Sequence, residues 1–544
     1  MAARKAQYYY RSMSKQEWWR GAVIYQVYPR SFLDTNGDGV GDLAGITRKL
    51  DYIASLGVDG VWISPFFTSP MQDFGYDVSH YCEVDPLFGT LDDFDALVAE
   101  AHERELKVVI DQVYSHTSDR HAWFEQSRQS RANATADWYV WADAKRDGSP
   151  PNNWQSVFGI PAWTWDARRQ QYYMHNFLSE QPDLNLHNPE VQDALLDVAK
   201  FWLERGVDGF RLDAINCGMH DPLLRDNPPA EGRHRNETRP CFMQVPQFNM
   251  THDDMPLVLE RLRDFVDSYG DIFTVAEVGA PEPLAVMKDY THGGQRLNTA
   301  YSFDFLNVTD LDKSAVVEFL SGWPGEPGEG WPSWAFSNHD AARVASRWLR
   351  QLAHPHRVRL IALLQMALRG NVFVYQGEEL GLTQVDVPFE QLKDPEGINN
   401  WPHTMGRDGA RTPMPWNGDE PFAGFSSHDP WLPLGDEHRD LAVETQDRNP
   451  DSILNDYRRW IALRQASPAL RAGDLNFMDA PGDVLAFERS AGADSLVCVF
   501  NLGDEFNSWR PGDVSVMASA GVEDIDPADG VPPWSGYIAE RKNA

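Results

Sequence analysis

Cysteine is scarce: four in 544 residues, at Cys82, Cys217, Cys241 and Cys498, far apart and with no Cys-x-x-Cys pair. That usage excludes a disulfide scaffold and a zinc site of Cys or His spacing, and is expected of reduced thiols in the cytoplasm. Long apolar runs are missing too. The longest, Leu360 to Leu368, contains Gln365 and falls far short of the ~20 residues that span a bilayer. Arg4, Lys5 and Arg11 near the N-terminus are not followed by an apolar segment, so neither a Sec signal nor membrane residence is expected. Basic residues are outnumbered: 48 Lys+Arg face 81 Asp+Glu, a net charge of −33. Nucleic acid and anionic membrane, which attract Lys and Arg, are thereby disfavoured as partners, and a neutral ligand suits the surface. Hydrophobic residues at 42% and aromatics at 12% supply a large core, which excludes disorder for the bulk of the chain.

Residues 1–16 are polar and Tyr-rich and read as a loose tail. From Trp18 onward, apolar β-rich runs alternate with helical patterns, the runs lying at 22–29, 59–66, 107–114, 209–215, 273–279, 299–305, 334–340 and 371–379. Fully apolar strands separated by helices indicate βα units and a parallel sheet. Helix ends are legible: Thr90 with Asp93 forms a capping box, and Asn188 followed by Pro189 opens a second helix that stops at Gly206. The repeat Gly57-Val-Asp-Gly60 and Gly206-Val-Asp-Gly209 joins a helix end to a strand twice. Eight such units predict an α/β fold, a (β/α)8 TIM barrel, formed by residues 17–116 and 183–470. Residues 117–182, with six Trp between Trp123 and Trp165, are too long for a βα loop and predict a subdomain inserted after strand 3. The alternating segments of 471–544 predict a C-terminal antiparallel β domain.

Polar groups stand at the C-terminal ends of these strands, the face where barrel chemistry sits: Asp111, His116, Arg211, Asp213, Glu277, His339 and Asp340. Three carboxylates with an arginine and two histidines around one pocket suit glycoside hydrolysis, in which one carboxylate attacks the anomeric carbon and another protonates the leaving oxygen. The acid must hold its proton near neutrality, whereas Arg211, two residues before Asp213 and on the same strand face, is expected to keep Asp213 ionised. A separate loop, Asp34-Thr-Asn36-Gly-Asp38-Gly-Val40-Gly-Asp42, offers carboxylate and amide oxygens at positions 1, 3, 5 and 9 and a backbone carbonyl at 7, a pattern suited to Ca²⁺ or Mg²⁺. Gly45 replaces the Glu of a complete EF-hand at position 12.

The motifs DQVYSHT (111–117), QPDLN (181–185), GFRLDAIN (209–216), AEVG (276–279), FSNHD (336–340) and RDGARTPMPW (407–416) together resemble the α-amylase superfamily, glycoside hydrolase family 13, and within it the bacterial α-glucosidase group. The resemblance runs from Trp18 to the end of the chain. It implies Asp213 as nucleophile, Glu277 as general acid/base and Asp340 as the carboxylate that holds and distorts the sugar. His116, Arg211 and His339 match positions that hydrogen-bond the glucose at the cleavage site. Tyr76 and Asp77 in FGYDV, with Arg407, match the recognition of a terminal glucose, which implies exo cleavage, and Phe158 is a candidate stacking partner. The resemblance also implies a structural metal on the 34–42 loop and no organic cofactor. Ser115 stands where many α-amylases carry a calcium-binding Asn, which puts that second calcium site in doubt.

The activity so implied is a retaining exo-α-glucosidase acting on small neutral α-glucosides of the maltose type, with sucrose as a second candidate and transglucosylation to alcohols. The alternatives are a sucrose-preferring hydrolase, an α-1,6-glucosidase or glucosyl isomerase, and an inactive barrel that serves as a binding subunit. Ala214, the small residue after the nucleophile, accompanies α-1,4 or sucrose activity in related enzymes, and loop 216–256 is expected to line the aglycone side. A monomer or homodimer is expected.

Overall fold

The apolar runs fold as eight strands: β1 (Val23–Val27), β2 (Gly60–Ile63), β3 (Lys107–Val113), β4 (Gly209–Asp213), β5 (Phe273–Val278), β6 (Thr299–Ser302), β7 (Trp331–Ala335) and β8 (Asn371–Tyr375). In this computed structural model, which describes residues 17–231, 240–325, 328–348, 355–521 and 525–542, each strand pairs in parallel with the next. β8 returns to β1, with Val23 opposite Val372, and the barrel closes. The expected tail 1–16 lies outside the described residues.

Every barrel-strand residue except Lys107 is buried, which explains why the strands read as continuous apolar runs and not as alternating ones. Inward side chains such as Ile24, Trp62, Val109, Val275, Tyr301 and Phe373 fill the interior. The outward set, Val23, Tyr25, Val61 and Ile63 among it, packs under the helices in a second core. The helix signals act as expected. Thr90 caps α1 (Leu91–Glu103) in a capping box with Asp93, and α1 buries Phe94, Leu97, Val98 and Ala101. Asn188 accepts from the Glu190 N–H at the start of α2 (Pro189–Leu203). Gly57 and Gly206 follow their helices with φ of 81° and 91°, a left-handed turn that a side chain resists.

One strand is displaced from its expected place. β7 ends at Ala335 and not at Asp340, because the Asn338 side chain accepts the N–H groups of Asp340 and Ala341 and turns the chain. His339 and Asp340 therefore stand on a loop above the strand end.

Within 117–182, Trp141–Ala142, Gln171–Met174 and Trp163–Asp166 form a three-stranded antiparallel sheet around a core of Val140, Trp154, Trp163 and Met174. After α3 (Pro355–Ala367) and α4 (Ile453–Ala466) come β9 (Asp474–Phe477), β10 (Val484–Ala491), β11 (Asp494–Asn501), β12 (Val514–Ala520) and β13 (Ser535–Arg541). They make an antiparallel sheet in the order β9-β10-β11-β13-β12. Fully buried Arg489 fastens this sheet to the barrel, donating to the carbonyls of Ala367 (2.7 Å), Leu470 (3.0 Å) and Gly473 (3.1 Å).

Candidate active site

The ends of β3, β4 and β5 bring three carboxylates onto one guanidinium. Arg211 Nη1 donates to Asp111 Oδ1 and to Asp213 Oδ1, both at 2.6 Å, and Nη2 pairs with Glu277 Oε1. The Tyr301 hydroxyl donates to Glu277 Oε1 (2.8 Å) and accepts from Arg211, while Trp62 Nε1 donates to Asp111 Oδ2 (2.9 Å). Ala214 takes a left-handed conformation with φ of 38°, which aims its N–H at Glu277 Oε2, 3.2 Å away. A non-glycine residue held there stores strain that the surrounding contacts must sustain.

The expectation that Arg211 pairs with Asp213 and keeps it ionised is corrected in one respect, since the guanidinium does not serve Asp213 alone. One positive charge is shared by three buried carboxylates. Burial raises Asp213 above the usual carboxylate range, and Glu277, Asp111 and Asp340 add to the rise while Arg211 opposes it. Burial likewise lifts Asp111 to about 6 against the pull of Arg211. Three like charges against one guanidinium favour a proton retained within the cluster, which a general acid requires.

Asp340 behaves in the opposite way. Burial would raise it, yet neighbouring charges hold it well below the ordinary value. Burial pushes His339 down to about 3, so His339 is neutral and the positive charge comes from Arg411 (2.8 Å) and Arg407 (3.2 Å). His339 Nδ1 accepts from Gln26 Nε2 at 2.8 Å, which leaves the proton on Nε2, 2.5 Å from the Tyr76 hydroxyl.

These groups surround a cavity of about 360 Å³ lined by Tyr76, His116, Phe158, Asp213, Glu277, Asp340 and Arg407, together with Asp73, Phe177, Asn216, Met250 and Phe303. Arg211 and His339, expected to bond the sugar, are fully buried and do not belong to the lining; they stand behind Asp213 and Asp340 and orient them. His116 lies on the wall, its Nε2 3.1 Å from both the Tyr76 carbonyl and Gln181 Nε2, and burial lowers it to about 4. Phe158 packs its ring on the Arg407 guanidinium, 5.3 Å from the centroid, and so both lines the pocket and braces Arg407.

Asp77 is the second correction. It is fully buried and absent from the lining, and its oxygens accept from Ser69 Oγ (2.8 Å), Asp73 N (3.0 Å) and Gln72 N (2.9 Å). Burial raises it to about 6, against these bonds. Its carboxylate is spent on shaping the 69–73 turn. Asp73 occupies the place expected of Asp77, with Arg407 Nη2 at 2.7 Å and Gln181 Nε2 at 3.1 Å. Asp394 completes the set, accepting from Arg407 Nη2 (2.7 Å) and from its backbone N–H (2.6 Å). Both acids were visible in the sequence; Asp73 precedes Tyr76 by three residues in the same turn, but nothing local separated it from Asp77.

In the 34–42 loop the side-chain oxygens of the expected ligand set accept hydrogen bonds from the chain itself. Asp34 accepts from the N–H groups of Asn36, Gly37 and Gly39, Asn36 from that of Asp38, and Asp38 from that of Val40. Asp42 caps the next helix at Gly45 N (2.7 Å) and holds Thr35. Among the described residues no three His, Cys, Asp or Glu side chains group as metal ligands. No helix among them is long and apolar enough to cross a membrane.

Comparison with known proteins places this geometry in context. Residues 26–473 match the family model of the α-amylase catalytic domain. A probable α-glucosidase of Rhizobium meliloti is 53% identical over 497 residues, 90% of each chain. An oligo-1,6-glucosidase of Heyndrickxia coagulans is 35% identical, covering 96% of this chain and 99% of its own. The crystal structure of an α-glucosyl transfer enzyme superposes with a TM-score of 0.92 at 50% identity, over 96% of this chain and 99% of that one.

Proposed function

The chain belongs to the α-amylase family of glycoside hydrolases, in its α-glucosidase group, and from that premise we propose that it is a retaining, exo-acting enzyme releasing glucose from short α-glucosides. The observation that carries the exo reading is the end of the pocket, where Arg407 is tied to Asp73, Asp340 and Asp394. A charged wall of that kind accepts the hydroxyls of a terminal glucose and leaves no passage for a longer glycan on the same side.

In this reading Asp213 attacks the anomeric carbon as Glu277 protonates the departing glycosidic oxygen, so the C–O bond breaks and a glucosyl ester forms. Glu277, now a carboxylate, takes a proton from water, whose oxygen attacks the same carbon and frees Asp213. Attachment of both carboxylates to adjacent nitrogens of Arg211 supports the short separation of a retaining pair over the ~6.5–9.5 Å of an inverting one. Arg211 and Tyr301 hold the two acids in register, and Asp340 stays ionised beside the developing positive charge on the sugar. An alcohol reaching the ester replaces water and gives transglucosylation.

Ala214 supports maltose-type or sucrose substrates over α-1,6 bonds. Ca²⁺ or Mg²⁺ at Asp34, Asn36, Asp38, Val40 and Asp42 is supported by the all-oxygen character of that donor set. A cytoplasmic protein is supported by four cysteines of which none is joined in a disulfide, and a monomer or homodimer is proposed with it. Parallel rates on maltose, sucrose, isomaltose and 4-nitrophenyl α-glucoside test the reading, with NMR of the first-formed glucose. α-Glucose first is expected; β-glucose first overturns retention, and release of larger sugars overturns exo cleavage.

A further inference from the structure

A chain of buried side-chain amides runs inward from the pocket lining at Asn216, outside the catalytic set. Asn216, three residues past Asp213, donates from Nδ2 to Thr251 Oγ1 (3.2 Å) and to the Gly279 carbonyl (2.9 Å). Its own carbonyl accepts the Thr251 N–H at 2.6 Å. Two residues earlier, Asn249 donates from Nδ2 to Asn176 Oδ1 (2.7 Å), and its Oδ1 accepts from Asn227 Nδ2 (2.8 Å). Asn176 Nδ2 returns a bond to the Asn249 carbonyl (3.2 Å) and another to Asp183 (2.6 Å). Asn216, Asn249, Asn176 and Asp183 are each 2% exposed or less.

Met250 stands between the two pinned residues and lines the cavity with Asp213 and Glu277. The described residues around it, 218–231 and 244–254, contain no helix or strand, so apart from isolated backbone bonds such as Asp221 N to the Phe248 carbonyl (2.8 Å) and Val245 N to the Pro228 carbonyl (2.8 Å) this segment is held by side-chain bonds. The chain starts beside the nucleophile strand at Asn216, passes Gly279 two residues beyond Glu277, and ends in the inserted sheet region at Asn176. The amides join these three parts of the wall.

We propose that Asn249 is a positioning residue for the leaving-group side: by fixing Met250 it sets which aglycones, and which acceptors, fit beside the glucosyl unit. The proposal rests on the α-glucosidase reading of the same pocket. Removing the amide strips partners from Asn176 and Asn227, and a buried polar group left unpaired costs on the order of what a tenfold equilibrium change represents, enough to shift the segment.

The test compares kcat/KM for maltose and for 4-nitrophenyl α-glucoside in the wild type, Asn249→Ala and Asn249→Asp, together with the inhibition constant of glucose and the melting temperature. The aspartate keeps the shape and replaces the donor facing Asn176. The expected result is a change of about tenfold in the ratio of the two kcat/KM values, carried by KM, with glucose inhibition unchanged within twofold. Met250→Ala, which alters the lining and leaves the bonds of Asn249 in place while removing Met250 Sδ from Asn216 Nδ2 (3.7 Å), should shift the ratio in the same direction and tests the idea if the Asn249 variants do not fold. A ratio within twofold of wild type in the folded variants, whatever the melting temperature does, overturns the proposal. A wild type that hydrolyses neither substrate overturns the α-glucosidase reading instead.

Discussion

Asp73 and Asp77, four residues apart in one turn, separate recognition from scaffolding, and a pair of variants distinguishes them. In Asp73→Asn the bond from Arg407 Nη2 loses its ionic partner, while Arg407 keeps Asp394 at 2.7 Å and Asp340 at 3.2 Å. A hydrogen bond to a charged group contributes ~1.5–3 kcal/mol, so kcat/KM for 4-nitrophenyl α-glucoside should fall by about 10- to 150-fold. The melting temperature should hold, because burial works against the Asp73 carboxylate and its charge contributes little to folding.

Asp77→Ala acts on the fold. It leaves Ser69 Oγ, Gln72 N and Asp73 N without their acceptor, at about 1 kcal/mol each, or ~3 kcal/mol in total. Calorimetry should show a clear fall in melting temperature. The loss of activity should be secondary, since it passes through the position of Asp73. The reasoning fails if Asp73→Asn retains full kcat/KM, or if Asp77→Ala keeps its stability while its kcat/KM falls further than that of Asp73→Asn.

Glu378, just beyond β8, is buried and burial lifts it to about 8, with the Tyr457 hydroxyl 3.2 Å away as an opposing influence. Its folded value lies above the unfolded ~4.3, so the native state binds the extra proton between the two; the stability this gives is complete at low pH and is lost as pH rises toward 8. Glu378→Gln should therefore flatten the fall in melting temperature between pH 6 and pH 8.5, and an unchanged slope would exclude Glu378 as its source. For the 34–42 loop, EDTA should lower the melting temperature and Ca²⁺ or Mg²⁺ restore it, with the response lost in Asp38→Ala; a melting temperature indifferent to EDTA would mean that the loop's turns suffice without a cation.

Much of the architecture is written locally. The eight strands are apolar on both faces because the barrel buries both, so they read as runs without tertiary knowledge, and Thr90, Asp93, Asn188 and Gly206 mark helix ends through bonds made within a few residues. The same locality misplaced β7, whose end depends on the Asn338 side chain folding back on Asp340 N and Ala341 N.

The sequence alone determined the parallel barrel, the interruption after strand 3, the antiparallel tail and the presence of Asp213 and Glu277 at strand ends, because residue type and period along one strand suffice for each; Asp340 stands on the loop beyond β7. Tertiary structure decided the pairings. Arg211 meets Asp111 from 100 residues away and Glu277 from a different strand, so its division among three carboxylates is a property of barrel closure and not of the GFRLD segment. Arg407 meets Asp73 across 334 residues, and only that contact separates a sugar-facing aspartate from the neighbouring Asp77, which the turn consumes. A carboxylate's chemistry depends on which charges and N–H groups reach it through space, and spacing along the chain carries no record of that.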